Sequence, residues 1–218
     1  MINQTISSKR FCLWSGCSGI AGVVLLIISF NINPGPQPNA TLDQLIKFGT
    51  QYYAAILWGA WLQAVAPVLI VLFAFSLVKL AGATGTLAGW MTMFGAVVLM
   101  IVSLIEITFY IAAVFISPKI GILISLNTIH AVQHLYFIVA APTLFISLGV
   151  VLYGSQVLHR AFAWFAFFIG ISFGVIGMVF LLELVLPMWV TAIAGIQAIW
   201  WLAASISLIV RSGKLAVV

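Results

Sequence analysis

The sequence predicts an all-α polytopic membrane protein, a bundle of six transmembrane helices with both termini in the cytoplasm. Three observations predict it. The first is composition: 65% of the residues are hydrophobic and 5% are charged, whereas a soluble domain carries roughly 25% charged residues. The second is segmentation. A spanning helix needs about 20 apolar residues, and six such runs use up the 218 residues, leaving one domain, 1–218, with no soluble appendage. The third is where the charges fall. Lys9, Arg10, Lys79, Arg160, Arg211 and Lys214 would share one side of the membrane, and Lys47 and Lys119 the other. Basic residues accumulate in cytoplasmic loops, so the first side is expected to be cytoplasmic.

The net charge of +5 comes from isolated Lys and Arg at the ends of apolar runs. There is no basic patch, and nucleic acid is not expected as a partner.

Span 1 is expected over 12–30. Lys9 and Arg10 followed by so long an apolar run read as an uncleaved signal-anchor, because a signal-peptide core is only about 7–15 residues long. Pro34, Pro36 and Pro38 then forbid helix. Thr41 and Gln44 form a capping-box pattern that opens a short amphipathic helix at the interface. Span 2 is expected over 52–78, span 3 over 87–116 and span 4 over 122–153, with a kink at Pro142. Span 5 is expected over 161–186, ending at Pro187, and span 6 over 189–210. Gly16, Gly19 and Gly22 on span 1, and the Gly170–Gly174 pair on span 5, are small-residue faces that allow close helix approach. They suit packing within the bundle and, secondarily, a homo-oligomer.

Ionisable residues at membrane depth are costly, so each is a functional hypothesis. Glu106 lies on span 3, His130 and His134 on span 4, and Glu183 near the outer end of span 5. Gln63, Asn127, Gln133 and Gln197 lie at similar depth, and Tyr110 is one turn from Glu106. Asn127, His130 and His134 are spaced i, i+3, i+7 and share one face. Two imidazoles at i, i+4 can address one metal ion. Ala131 stands where the zinc-protease helix has its Glu, so that chemistry is not expected.

Three uses of the cluster are open. It is a structural hydrogen-bond network, a pair of titrating groups for proton or ion handling, or a catalytic site. In the last case Glu106, His130, Glu183 and Tyr110 are the acid–base candidates. Glu106, His130 and His134 are the metal candidates, for one divalent zinc, iron or manganese ion. The polar residues gather in the outer halves of the spans, which places the expected activity on an apolar, lipid-like substrate from the outer leaflet. Trp58, Trp61, Trp200 and Trp201 lie deeper than an interfacial belt requires. They pack against membrane lipid or wall a pocket for an isoprenoid-, sterol- or quinone-like ligand.

The order of several features resembles that of uncharacterised bacterial multi-pass inner-membrane proteins. These are the Pro-rich first loop, Phe75 to Gly82 (Phe-Ser-Leu-Val-Lys-Leu-Ala-Gly), Ser103-Leu104-Ile105-Glu106, and Ala131-Val132-Gln133-His134-Leu135-Tyr136. The resemblance implies a bacterial inner-membrane location and carries over no activity.

Overall fold

A computed structural model describes residues 2–33, 40–115, 119–180 and 187–215. The described residues form α1 (Ile2–Ile32), α2 (Leu42–Gln51), α3 (Tyr53–Leu80), α4 (Leu87–Phe115), α5 (Lys119–Leu135), a π-helical turn (Tyr136–Ala140), α6 (Ala141–Tyr153), α7 (Arg160–Phe180) and α8 (Pro187–Leu215). Six stretches are long and apolar enough to cross a membrane: Lys9–Ile32, Tyr53–Leu80, Leu87–Phe115, Ile124–Tyr153, Arg160–Val179 and Met188–Gly213. The chain is thus built as a multi-pass membrane protein, with span limits close to those expected. The end of the bundle where α1 begins and α8 finishes is called the terminal end below, and the opposite end the far end.

The spans pack in chain order. α1 lies against α3, α3 against α4, α4 against α5 and α6, α6 against α7, α7 against α8, and α8 returns to α1. The result is a closed ring of six. The glycines of α1 make two of these seams. A Cβ on Gly22 would stand 3.0 Å from the Ala66 carbonyl of α3, and Gly16 meets Ile209 and the Ser205 carbonyl of α8. Gly170 of α7 likewise backs onto Ile146 of α6, where a Cβ would lie 2.9 Å from the backbone nitrogen. These small-residue faces are therefore used inside one chain.

Short polar signals set the element ends. Thr41 caps α2 in the expected box: the Thr41 amide donates to Gln44 Oε1 at 2.7 Å, and the Gln44 amide donates to Thr41 Oγ1 at 3.4 Å. Pro187 opens α8, where a missing N–H costs no helical bond. Residues 181–186, where span 5 was expected to end, lie outside the described residues.

The expected kink at Pro142 takes a specific form. Proline has no N–H and its ring collides with the carbonyl four residues back, here that of Ile138. The chain widens immediately before it, and the Ala141 N–H bonds the Tyr136 carbonyl, five residues back. Such π-turns recur at functional sites. This one separates α5, which packs on α4, from α6, which packs on both α4 and α7.

A second proline frees a carbonyl elsewhere. α3 runs through Pro67, so the Gln63 carbonyl loses its intrahelical donor. Ser103 of α4 supplies a replacement, its hydroxyl donating to Gln63 O at 3.4 Å.

Candidate functional site

The ring interior has two layers. Nearer the terminal end, three alternate members of the ring meet. Phe73 of α3 lies 5.8 Å from Trp201 of α8, and Phe145 of α6 lies 5.3 Å from the same indole, centroid to centroid. Trp200 joins at 4.9 Å from Trp201 and 5.5 Å from Phe145. Phe73, Phe145 and Trp201 are fully buried. This aromatic floor closes the interior. Trp200 anchors it by donating to the Phe162 carbonyl of α7 at 3.0 Å, whereas the Trp201 indole N–H meets no acceptor among the described residues.

The polar layer lies beyond the floor, toward the far end. On α4, Gly95, Leu99, Ser103, Glu106 and Tyr110 recur at helical spacing and form one stripe. Gly95 and Leu99 are buried in the bundle, so the stripe faces inward, yet Glu106 and Tyr110 are only half-buried. The Glu106 carboxyl is clamped by two carboxamides from the neighbouring helices. Gln133 of α5 donates to Oε1 at 2.8 Å, and Gln63 of α3 donates to Oε2 at 3.3 Å. Gln63 is itself 5% exposed.

A second bond crosses the ring. The Tyr136 hydroxyl, on the π-turn, donates to Gln197 Oε1 of α8. The Tyr136 ring stands edge-on to Phe173 of α7 at 5.3 Å. The two hydrogen-bonded groups are close along the chain, since Tyr136 follows Gln133 by three residues and such neighbours lie about 5–6 Å apart on a helix. Gln197 lies one turn from Trp201, so the polar layer rests directly on the aromatic floor.

The structure distributes the expected site residues unevenly. Glu106, Gln63 and Gln133 come together, and Gln197 joins Tyr136. His130 and His134 face each other on α5 with ring centroids 5.2 Å apart. Glu106 accepts hydrogen bonds from the two carboxamides. Asn127 and His130 are exposed. Glu183 lies outside the described residues. Among the described residues, no group of three or more His, Cys, Asp or Glu side chains stands where it could hold a metal ion.

The tryptophans divide. Trp58 and Trp61 are 64% and 57% exposed on the outside of α3, while Trp200 and Trp201 are interior. His159 and Arg160 sit at the start of α7, where His159 Nδ1 accepts from the Ala161 amide at 3.2 Å and Arg160 stacks over Tyr153.

Sequence reasoning missed Tyr136. Its signal was Pro142, which forces the preceding turn to widen and so re-aims the residues before it. No known protein family, curated protein or solved structure matches the chain.

Proposed function

We propose that this protein is a bacterial inner-membrane enzyme with both termini in the cytoplasm. On this reading the far half of the ring is an acid–base site for an amphipathic, lipid-like substrate of the outer leaflet. One observation carries the reading: the Glu106 carboxyl faces the ring interior, remains half-accessible, and is held between the Gln63 and Gln133 carboxamides. A carboxyl fixed by donors on both oxygens keeps one orientation, which is what proton transfer to or from a bound molecule requires. Tyr110, one turn along the same stripe, is the second proton-bearing group. The aromatic floor argues against a through-going transport path, because Phe73, Phe145 and Trp201 fill the interior beneath the site.

The orientation rests on the charge asymmetry of the loops.

A transition-metal site remains as the second reading, favoured by the adjoining His130 and His134 rings. Elemental analysis of the purified protein beside a His130→Ala/His134→Ala variant tests it; zinc, iron or manganese at one per chain, lost in the variant, supports it.

Photolabelling tests the first reading. Native membranes are loaded with a phospholipid carrying a diazirine in its acyl chain, irradiated, and the labelled peptides mapped by mass spectrometry. Labels on the inward residues of 103–110 and 133–136, weakened in Glu106→Gln, are expected. Labels confined to outward residues such as Trp58, Phe94 and Ile171, and unchanged in Glu106→Gln, would overturn it.

A further inference from the structure

We propose that the ligand of the far-half site is a hydrophobic cation, an amphiphile whose head is an ammonium or equivalent onium group. The inference rests on the site reading given above and adds the sign of the ligand's charge. It starts from an imbalance in the sequence. No Lys or Arg occurs between residues 48 and 78, 80 and 118, 120 and 159, or 161 and 210. At Glu106 both carboxyl oxygens accept N–H bonds from carboxamides. Each oxygen therefore acts as an acceptor, and the carboxamide donors bring no full charge. Among the described residues, the titratable groups that could face it are Tyr110 on its own helix and His130 and His134 on the neighbouring α5.

Aromatic rings lie beyond the carboxyl. From Glu106 a continuous set of contacts leads to the aromatic floor. Glu106 bonds Gln133, Tyr136 follows on the same helix, Tyr136 bonds Gln197, and Gln197 stands one turn from Trp201. Tyr136, Phe137 and Phe173 are stacked edge-on or tilted at 5.3–5.6 Å from one another on one side of this path. Trp200, Trp201 and Phe145 form its base. Aromatic faces attract cations, tryptophan most strongly, and recognition of quaternary ammonium groups by aromatic boxes is the general use of that force. An anionic ligand would meet a carboxylate with no Lys or Arg at depth. A neutral one would draw no charge attraction from the carboxyl, while bringing a carboxylate to depth is costly without a cation beside it. A cation with an apolar body satisfies both the carboxylate and the rings.

Two probes of the same shape and opposite charge test this: tetraphenylphosphonium and tetraphenylborate. Binding of each is measured by equilibrium dialysis against the purified full-length protein in detergent, with empty micelles subtracted. The expected result is saturable binding of the phosphonium at one per chain and none of the borate. Glu106→Gln weakens phosphonium binding about tenfold or more, the loss of one close charge interaction. Glu106→Asp, which keeps the charge, retains selectivity for the cation and guards against a folding defect in the first variant. If both probes saturate and both weaken in Glu106→Gln, the site at Glu106 stands and the cation inference falls. If the phosphonium fails to saturate, or binds Glu106→Gln as well as wild type, the inference is overturned, while photolabelling decides the site separately.

Discussion

The Glu106 clamp makes a prediction that can be worked from its geometry. The perturbation is a pair of double-mutant cycles, Glu106→Leu with Gln133→Ala and Glu106→Leu with Gln63→Ala. A hydrogen bond to a charged group contributes about 1.5–3 kcal/mol in soluble proteins. Interhelical bonds in bilayers average about 0.6 kcal/mol, with a maximum near 1.7, because the unfolded chain in the membrane also finds partners. The bilayer figures govern here. The Gln133 bond, at 2.8 Å, lies within the normal N–H···O window of about 2.7–3.2 Å, while the Gln63 bond, at 3.3 Å, lies just outside it. The expected coupling energies are therefore about 1 kcal/mol for Glu106–Gln133 and about half that or less for Glu106–Gln63. Steric-trapping unfolding in bicelles, applied to the wild type, the singles and the doubles, measures both. Additivity of Gln133→Ala with Glu106→Leu to within about 0.3–0.5 kcal/mol, or a larger coupling for Gln63, would refute the reasoning.

Further outcomes follow from other contacts. Tyr136→Phe strands Gln197 Oε1 inside the ring and should cost about 1–3 kcal/mol, seen as a lowered thermal midpoint in detergent; Gln197→Leu in the same chain should recover most of it. Gly95→Ala places a Cβ 2.5 Å from the Leu144 backbone nitrogen, an overpacking cost of about 1–3 kcal/mol that exceeds the gain in helix propensity. Gly195→Ala, with none of the described residues within 4 Å of the added carbon, should instead stabilise by up to about 1 kcal/mol. A micelle-partitioning maleimide should modify exposed Cys17 in the native protein and reach buried Cys12 only after denaturation, read as added mass on the intact chain.

Much of this is legible in the sequence. Apolar runs, terminal charges and the Thr41–Gln44 box are local signals, and the spans and the α2 cap follow them. The layer of polar residues was also legible, because depth along a helix is a matter of counting. What counting cannot supply is the neighbour. Helical spacing puts His130 and His134 on one face and Gln133 at its edge, yet it is the edge residue that bonds Glu106. Trp61 and Gln63 are two residues apart at nearly the same depth, but one faces outward and the other is buried. The inward stripe of α3, which includes Gly59, Gln63, Ala66 and Ile70, tells them apart only once the ring has fixed which side is in. Tyr136 escaped notice because its direction is set by a proline six residues later, through a turn that periodicity does not anticipate.

The aromatic floor has an electrical meaning beyond its role in packing. In an energised membrane the potential drops across whatever is impermeable to ions. If the half-accessible layer around Glu106 is wetted from the far end, the insulating thickness shrinks to the floor and the apolar residues beneath it. The field there steepens accordingly. A charge moved through the whole drop is worth about 2.3 kcal/mol per 100 mV, so a charged group lodged against Trp201 would sense a large share of that energy without crossing the bilayer. Three side chains, Phe73, Phe145 and Trp201, contributed by alternate members of the ring, would then stand between that wetted layer and the terminal end.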